Sequence, residues 1–182
     1  FTSLYWQTDG NGELLNEETL APTYIPAEGE TGSITLTLFV VGTPSCGNIT
    51  DEAVLTIVSP PAVDAGVDDE TCSNTPVELN QASAQNYSSV VWSTSGNGTF
   101  DNPYILNPVY TPGSIDIQNG SVTLTITANG LANCPDVSDA MILTVYPVAT
   151  ASAGIDAEVC EGESFTVNTA MASNYIALQW ST

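Results

Sequence analysis

The 182 residues contain no lysine, no arginine and no histidine, against 21 aspartates and glutamates. That absence excludes a good deal of chemistry at once. Direct binding to nucleic acid needs cations to neutralise phosphates, and adhesion to an anionic membrane surface needs the same. Histidine-dependent triads, Schiff-base lysines and arginine clamps are unavailable. Of the familiar hydrolytic arrangements only a glycosidase-type pair of carboxylates remains, and no concentrated acid pair stands out. The expectation is a chain that is not an enzyme, with no catalytic residues and no bound cofactor. Other things are scarce too. No stretch approaches the ~20 apolar residues of a membrane helix; the longest candidate, 36–41, has the length of a strand. No long segment carries a 3.6-residue period, so helix signals are poor. The four cysteines include no Cys-x-x-Cys pair, which argues against a zinc site. No basic-then-apolar leader opens the sequence, as expected of an internal window on a longer protein.

What the chain does have is repetition. Trp92-Ser-Thr-Ser-Gly-Asn-Gly98 echoes Trp6-Gln-Thr-Asp-Gly-Asn-Gly12 at a spacing of 86, and Trp180-Ser-Thr182 begins a third copy 88 residues after Trp92. Pro22-Thr-Tyr-Ile-Pro26 returns as Pro108-Val-Tyr-Thr-Pro112, and Ile34-Thr-Leu-Thr-Leu38 as Val122-Thr-Leu-Thr-Ile126. Cys46 maps onto Cys134 and Cys72 onto Cys160, both at a spacing of 88. A fixed period means one structural unit copied in tandem, and this period is long enough for each unit to bury its own core. The scattered acids and the apolar fraction of 42% are those of a folded, soluble surface rather than of an acidic disordered tail.

Within one unit the patterning is that of strands. Val122, Leu124, Ile126 and Ala128 alternate with Thr123, Thr125 and Thr127; Met141, Leu143 and Val145 alternate with Ile142, Thr144 and Tyr146. Period-two alternation with threonine outward is the mark of half-buried antiparallel strands. Gly96-Asn97-Gly98 and Asn129-Gly130 supply turns, and Pro103, Pro108 and Pro112 belong at turns or edges. About seven short strands with a tryptophan on the third predict an all-β fold, an immunoglobulin-like antiparallel sandwich. Boundaries near Pro60-Pro61 and Pro147 divide the chain into the C-terminal part of one repeat (1–60), a complete repeat (61–148) and the N-terminal part of a third (149–182). Linkers of about three residues imply a semi-stiff rod of neighbouring repeats in contact.

Taken together, Ala65-Gly-Val-Asp-Asp-Glu-Thr-Cys72, Ala153-Gly-Ile-Asp-Ala-Glu-Val-Cys-Glu-Gly162, the Trp92–Phe100 block and the Val122–Asp139 block resemble the tandem PKD-like and Ig-like repeats of giant Bacteroidota surface adhesins. The resemblance implies an extracellular cell-surface filament exported by type IX secretion, in gliding cells gripping the substratum or its polysaccharide. Composition already argues against a nucleic-acid partner and direct membrane insertion, and the resemblance supplies no catalytic residues.

Candidate sites are few. Trp6, Trp92 and Trp180 hold one position in the repeat and are expected in the core, packing across the sandwich, rather than as a platform for sugars. Cys46, Cys72, Cys134 and Cys160 are the disulfide candidates. One reading joins Cys72 to Cys134 within the central repeat, for about 4 kcal/mol in the chain-entropy model. The other pairs the hairpin cysteine of one repeat with the early-turn cysteine of the repeat before it, and both stay open on sequence. Asp64, Asp68, Asp69 and Glu70, at the boundary near Asp51 and Glu52, are the calcium candidates, since that ion takes clustered oxygens. Asp9-Gly-Asn-Gly-Glu13 is faintly calcium-like but reads better as a turn, because the matching loop Ser95–Thr99 lacks both acids. Asn48, Asn86, Asn97 and Asn119 head Asn-x-Ser/Thr sequons, a pattern that a Ser/Thr-rich chain produces by chance.

Overall fold

The computed structural model describes residues 2–181. Strands dominate, and contacts gather the chain into two compact units. One comprises Phe1–Ala62, Gln85–Ser88 and Asn129–Asp136; the other comprises Val63–Ala84, Ser89–Ala128 and Val137–Thr182.

The first unit runs through β1 (Ser3–Thr8), β2 (Glu13–Leu15), β3 (Thr23–Ile25), β4 (Gly32–Val41) and β5 (Ile49–Ile57). β1, β4 and β5 form an antiparallel sheet with β4 at its centre, and β2 pairs with β3. Register follows the alternation of the sequence, as it must when one face is buried. Leu4 lies opposite Val40 and Trp6 opposite Leu38 on one face, and Leu4 and Ile34 are buried. On the other face Tyr5 lies opposite Phe39. Their rings stack with centroids 4.8 Å apart and planes 3° from parallel.

The second unit carries β6 (Ala62–Asp64), β7 (Asp69–Cys72), β8 (Val77–Glu78), β9 (Ser83–Gln85), β10 (Tyr87–Thr94), β11 (Thr99–Phe100) and β12 (Val109–Thr111). A short helix α1 (Ser114–Asn119) follows, then β13 (Ser121–Gly130), β14 (Val137–Tyr146), β15 (Thr150–Ser152) and β16 (Met171–Ser173). One sheet has the order β10-β13-β14-β7 and a second the order β11-β12-β8; β6-β9 and β15-β16 are small pairs. Val122, Leu124, Ile126 and Ala128 point inward and are buried, as are Met141, Leu143 and Val145. Each of these side chains larger than the Ala128 methyl contributes about 1.5–3 kcal/mol relative to exposure. Tyr110 from the second sheet and Leu79, just after β8, close the core.

Two elements differ from the expectation of antiparallel strands alone. β7 pairs parallel with β14, Leu143 opposite Asp69 through Tyr146 opposite Cys72. The chain reaches that edge through Gly66, whose φ of +90° favours glycine. Two carboxylates fasten the crossing segment to β14. Ala65 N–H donates to Asp139 Oδ2 at 2.8 Å, and Ile142 N–H donates to Asp68 Oδ1 at 2.8 Å. The other difference is α1, a helix that no periodicity in the sequence marks. It follows Pro112-Gly113 and stops at Gly120, a left-handed C-terminal glycine with φ 75°. Six residues are too few to show a helical period in the sequence.

Candidate functional site

The most heavily hydrogen-bonded cluster lies where β10 turns away from the sheet. Thr94 ends the strand, and its Oγ1 accepts from Gly96 N–H at 3.1 Å and meets the Tyr110 hydroxyl at 2.9 Å. Asn97 reaches the start of α1. Its Oδ1 accepts from Ile115 N–H at 2.8 Å and its Nδ2 donates to Ser114 Oγ at 3.2 Å. Asn97 thereby satisfies a helix-terminal amide that Gly113, lacking a side chain, cannot.

Asp116, fully buried in α1, is the hub. Its Oδ1 accepts from Asn97 N–H at 3.1 Å. Its Oδ2 accepts from Gly98 N–H at 3.1 Å, from Gly113 N–H at 2.8 Å and from Tyr110 O–H at 2.7 Å. Four donors thus converge on one carboxylate, three of them on Oδ2 and one on Oδ1. Burial opposes ionisation of Asp116, but the Gly113 amide, the Tyr110 hydroxyl and the Asn97 and Gly98 amides together outweigh it and hold the carboxyl below its ordinary range. Burial pushes the Tyr110 phenol up to about 12, with its hydrogen bond to Asp116 acting in the same direction and the Thr94 contact against it. The glycines are required by this approach. A Cβ on Gly96 would collide with Asp116 Oδ1, and one on Gly98 with the Tyr110 hydroxyl and Thr111 O.

The first unit repeats the arrangement. Tyr24 O–H lies 2.9 and 2.8 Å from the two carboxylate oxygens of Glu30. Glu30 also accepts from Asn11 N–H at 2.6 Å and Ala27 N–H at 2.9 Å, while Gly12 N–H donates to Tyr24 Oη at 2.7 Å. The Asn11 amide above all lowers the Glu30 carboxyl, and desolvation only partly opposes it. Among the described residues no buried side-chain polar atom lacks a partner. The cluster is a fastening that joins a loop, a tyrosine strand and a short turn or helix, and its chemistry is structural.

This device was not singled out in the sequence, although a signal was there. Tyr24 and Glu30 are six residues apart, as are Tyr110 and Asp116, and each pair follows a Gly-Asn-Gly.

The residues that were singled out are placed as follows. Trp92 is 3% exposed, its Nε1 donates to Leu106 O at 3.2 Å, and its ring lies 6.0 Å from Phe100. Trp6 is half-buried and its Nε1 donates to Thr19 O at 3.0 Å. Trp180, expected in the core, is 66% exposed. Three of the four acids proposed for calcium are tied to backbone through their carboxylates. Asp64 Oδ1 accepts from Gly66 N–H at 2.7 Å, Asp68 from Ile142 N–H, and Asp69 Oδ1 from Glu70 N–H at 2.8 Å. Among the described residues no three Cys, His, Asp or Glu side chains converge as metal ligands, so the structure does not bring Asp64, Asp68, Asp69 and Glu70 together. The Gly-Asn-Gly loop beside Asp9 is a turn, and Asp9 Oδ1 accepts from Thr35 N–H at 2.6 Å. Among the described residues no two of the four cysteines are joined to each other; Cys46, Cys72 and Cys160 are exposed and Cys134 is half-buried. No helix among the described residues is long and apolar enough to cross a membrane.

No family model matches the chain, and no curated protein matches it. Similar solved structures include an I-band fragment from titin, at TM-score 0.46 and 15% identity, covering 80% of this chain. An E-to-A variant of a three-Ig titin fragment aligns at TM-score 0.45 and 16% identity over 81% of the chain. Mouse clustered PcdhgC3 EC1-3 aligns at TM-score 0.39 and 13% identity over 79%. The chain spans 56% of the length of each.

Proposed function

We propose that this chain is part of an extracellular repeat array in a giant cell-surface adhesin, a stiff spacer and adhesive filament used in surface attachment or gliding. The repeats are 1–60, 61–148 and 149–182, of the kind borne by the gliding-motility adhesin SprB. The observation that carries the reading is that the same fastening recurs in both units, Tyr24 with Glu30 and Tyr110 with Asp116. What is copied along the chain is a means of holding a sandwich shut, not a reactive site. The partners are neighbouring repeats of the same chain and the polysaccharide or substratum outside the cell. Uniform negative charge, −21 over 182 residues, keeps copies soluble and apart, and attachment is spread over many weak contacts whose avidity exceeds that of any one. Antibodies against residues 61–148 should label intact, unpermeabilised cells, and cells lacking the protein should lose attachment or gliding. Labelling only after permeabilisation, with attachment unchanged, would overturn the proposal.

A second reading is an accessory carbohydrate-binding module of a secreted polysaccharide-degrading enzyme. It is favoured by the Tyr5–Phe39 stack on an open sheet face and by an open groove of about 800 Å³ along β1 that includes Trp6, Gln7 and Glu17. Aromatic faces beside amide and carboxylate groups suit neutral sugars. That reading requires saturable binding of a soluble neutral glycan with shifts at Tyr5 and Gln7 in an NMR titration, and a catalytic domain elsewhere in the same protein.

A further inference from the structure

Cys72 and Cys134 sit at opposite ends of one strand. Cys72 is in register with Tyr146, the last residue of β14, whereas Cys134 precedes its first residue, Val137. The strand between those registers spans about 30 Å at ~3.4 Å per residue. A disulfide bridges Cα atoms only ~4.4–6.8 Å apart, so these two thiols are not each other's partners.

Each cysteine nevertheless has a defined neighbour. In the first unit, Cys134 Sγ lies 3.9 Å from the carbonyl oxygen of Val58, just after β5. Val58 corresponds to Tyr146 at the repeat spacing of 88, as Cys46 does to Cys134. In the second unit, the Tyr146 carbonyl accepts from Ser73 N–H at 2.8 Å, which places the peptide joining Cys72 to Ser73 against it. The carbonyl position that a hairpin thiol touches is therefore the position beside which Cys72 is anchored. An independent contact shows that the two stretches are built alike. Asn86 Nδ2 donates to Pro60 O at 3.3 Å and Asn174 Nδ2 to Val148 O at 3.0 Å. Both members of that pair are displaced by 88, and both asparagines have φ 54°. The hairpins match as well: Gly42 N–H donates to Asn48 Oδ1 at 3.3 Å, and Gly130 N–H to Asp136 Oδ1 at 3.0 Å.

We infer that Cys72 forms a disulfide with the hairpin cysteine of the following repeat, and that Cys134 does so with the early-turn cysteine of the repeat before it. The array is then stitched covalently at every joint while each sandwich carries no internal cross-link. The bond forms by thiol–disulfide exchange with a low-molecular-weight disulfide such as oxidised glutathione. One cysteine thiolate attacks the oxidant to give a mixed disulfide and release one thiol. The second cysteine displaces the other thiol, so two electrons pass to the oxidant and the protons end on the thiols released. This inference rests on the array reading only for the existence of a following repeat.

The test is non-reducing mass spectrometry of the full-length protein taken from its cells. A protease that cuts after acidic residues is needed, because there is no site for trypsin. The peptide bearing Cys72 should appear linked to the hairpin peptide 88 residues beyond that of Cys134, and reduction should separate the two. In the C134S variant Cys72 should remain blocked to alkylation, whereas C72S should abolish its linked pair and leave the link of Cys134 in place. A Cys72–Cys134 pair, or Cys72 free to alkylate in the native protein, overturns the inference. A protein with no following repeat ends the array reading and this one together; a following repeat with Cys72 unlinked ends this one alone.

Discussion

The two fastenings hold the same groups with different scaffolding. In the second unit a buried aspartate on a helix meets the tyrosine, and Asp116 has no exposed surface. In the first, a half-buried glutamate on a bare turn does so, and that turn closes with Glu30 N–H donating to Ala27 O at 3.0 Å. The separation from tryptophan to the first buried residue of the next long strand is 28 residues for Trp6 to Ile34, against 30 for Trp92 to Val122. The shorter loop leaves no room for α1, and the extra methylene of glutamate restores the reach. Three of the four donors to the carboxylate are thus retained while the route of the backbone varies. The second glycine amide goes to Tyr24 Oη in the first unit and to Asp116 in the second, and burial sets how strongly each unit depends on the contact.

That difference can be broken by mutation. The largest effect is expected for Asp116→Ala, which takes the acceptor from three part-buried amides and leaves the Tyr110 hydroxyl only Thr94 Oγ1. Each orphaned donor costs about 1–3 kcal/mol, so the second unit should lose at least ~3 kcal/mol in urea unfolding. Glu30→Ala should cost much less, since water replaces the carboxylate, and equal losses would dissolve the comparison. Trp92→Ala should cost about 3–5 kcal/mol by leaving a cavity, and Trp6→Ala should cost less because Trp6 is only half-buried. Gly98→Ala should destabilise by ~1–3 kcal/mol or more through overpacking against Tyr110, measured as a fall in Tm.

The response to pH is smaller and has a definite sign. Asp116 and Glu30 titrate below the ordinary carboxyl range in the fold. Their stabilisation is complete above the ordinary carboxylate pKa and is lost as pH falls through the lowered folded values. Tyr110 behaves oppositely. With its phenol pushed up from 10.0 to about 12, its contribution is complete below the ordinary phenol value and disappears as pH rises toward about 12. Tm measured against pH should decline at both extremes, and D116A should flatten both declines for the second unit. The smallest effect is expected from metal removal. Because Asp64, Asp68 and Asp69 already accept from backbone amides, a chelator should leave Tm unchanged, and a clear fall would restore calcium to consideration.

Much of the sheet architecture was legible because burial writes a period of two into the sequence. Val122 to Ala128 and Met141 to Val145 alternate as they pack. What was not legible depends on groups brought together from far apart. Asp116 looks like any surface acid until Gly96, Gly98 and Tyr110 close around it. The parallel course of β7 follows from a turn at Gly66 and from the capture of Asp68 by the Ile142 amide, and no alternation of side chains records strand direction. α1 depends on Asn97, which is sixteen residues before Gly113, for the hydrogen bonds at its first turn.

The parallel edge has a consequence for tension. β7 lies near the start of its repeat, after only the short β6, and β14 near its end, and they run side by side in the same direction. A tug along the chain therefore drags one lengthwise past the other and loads the rungs between Asp69 and Tyr146 all at once. Antiparallel neighbours joined at one end would peel apart a rung at a time. The repeat should yield abruptly and late, as a latch does, rather than open gradually like a zip.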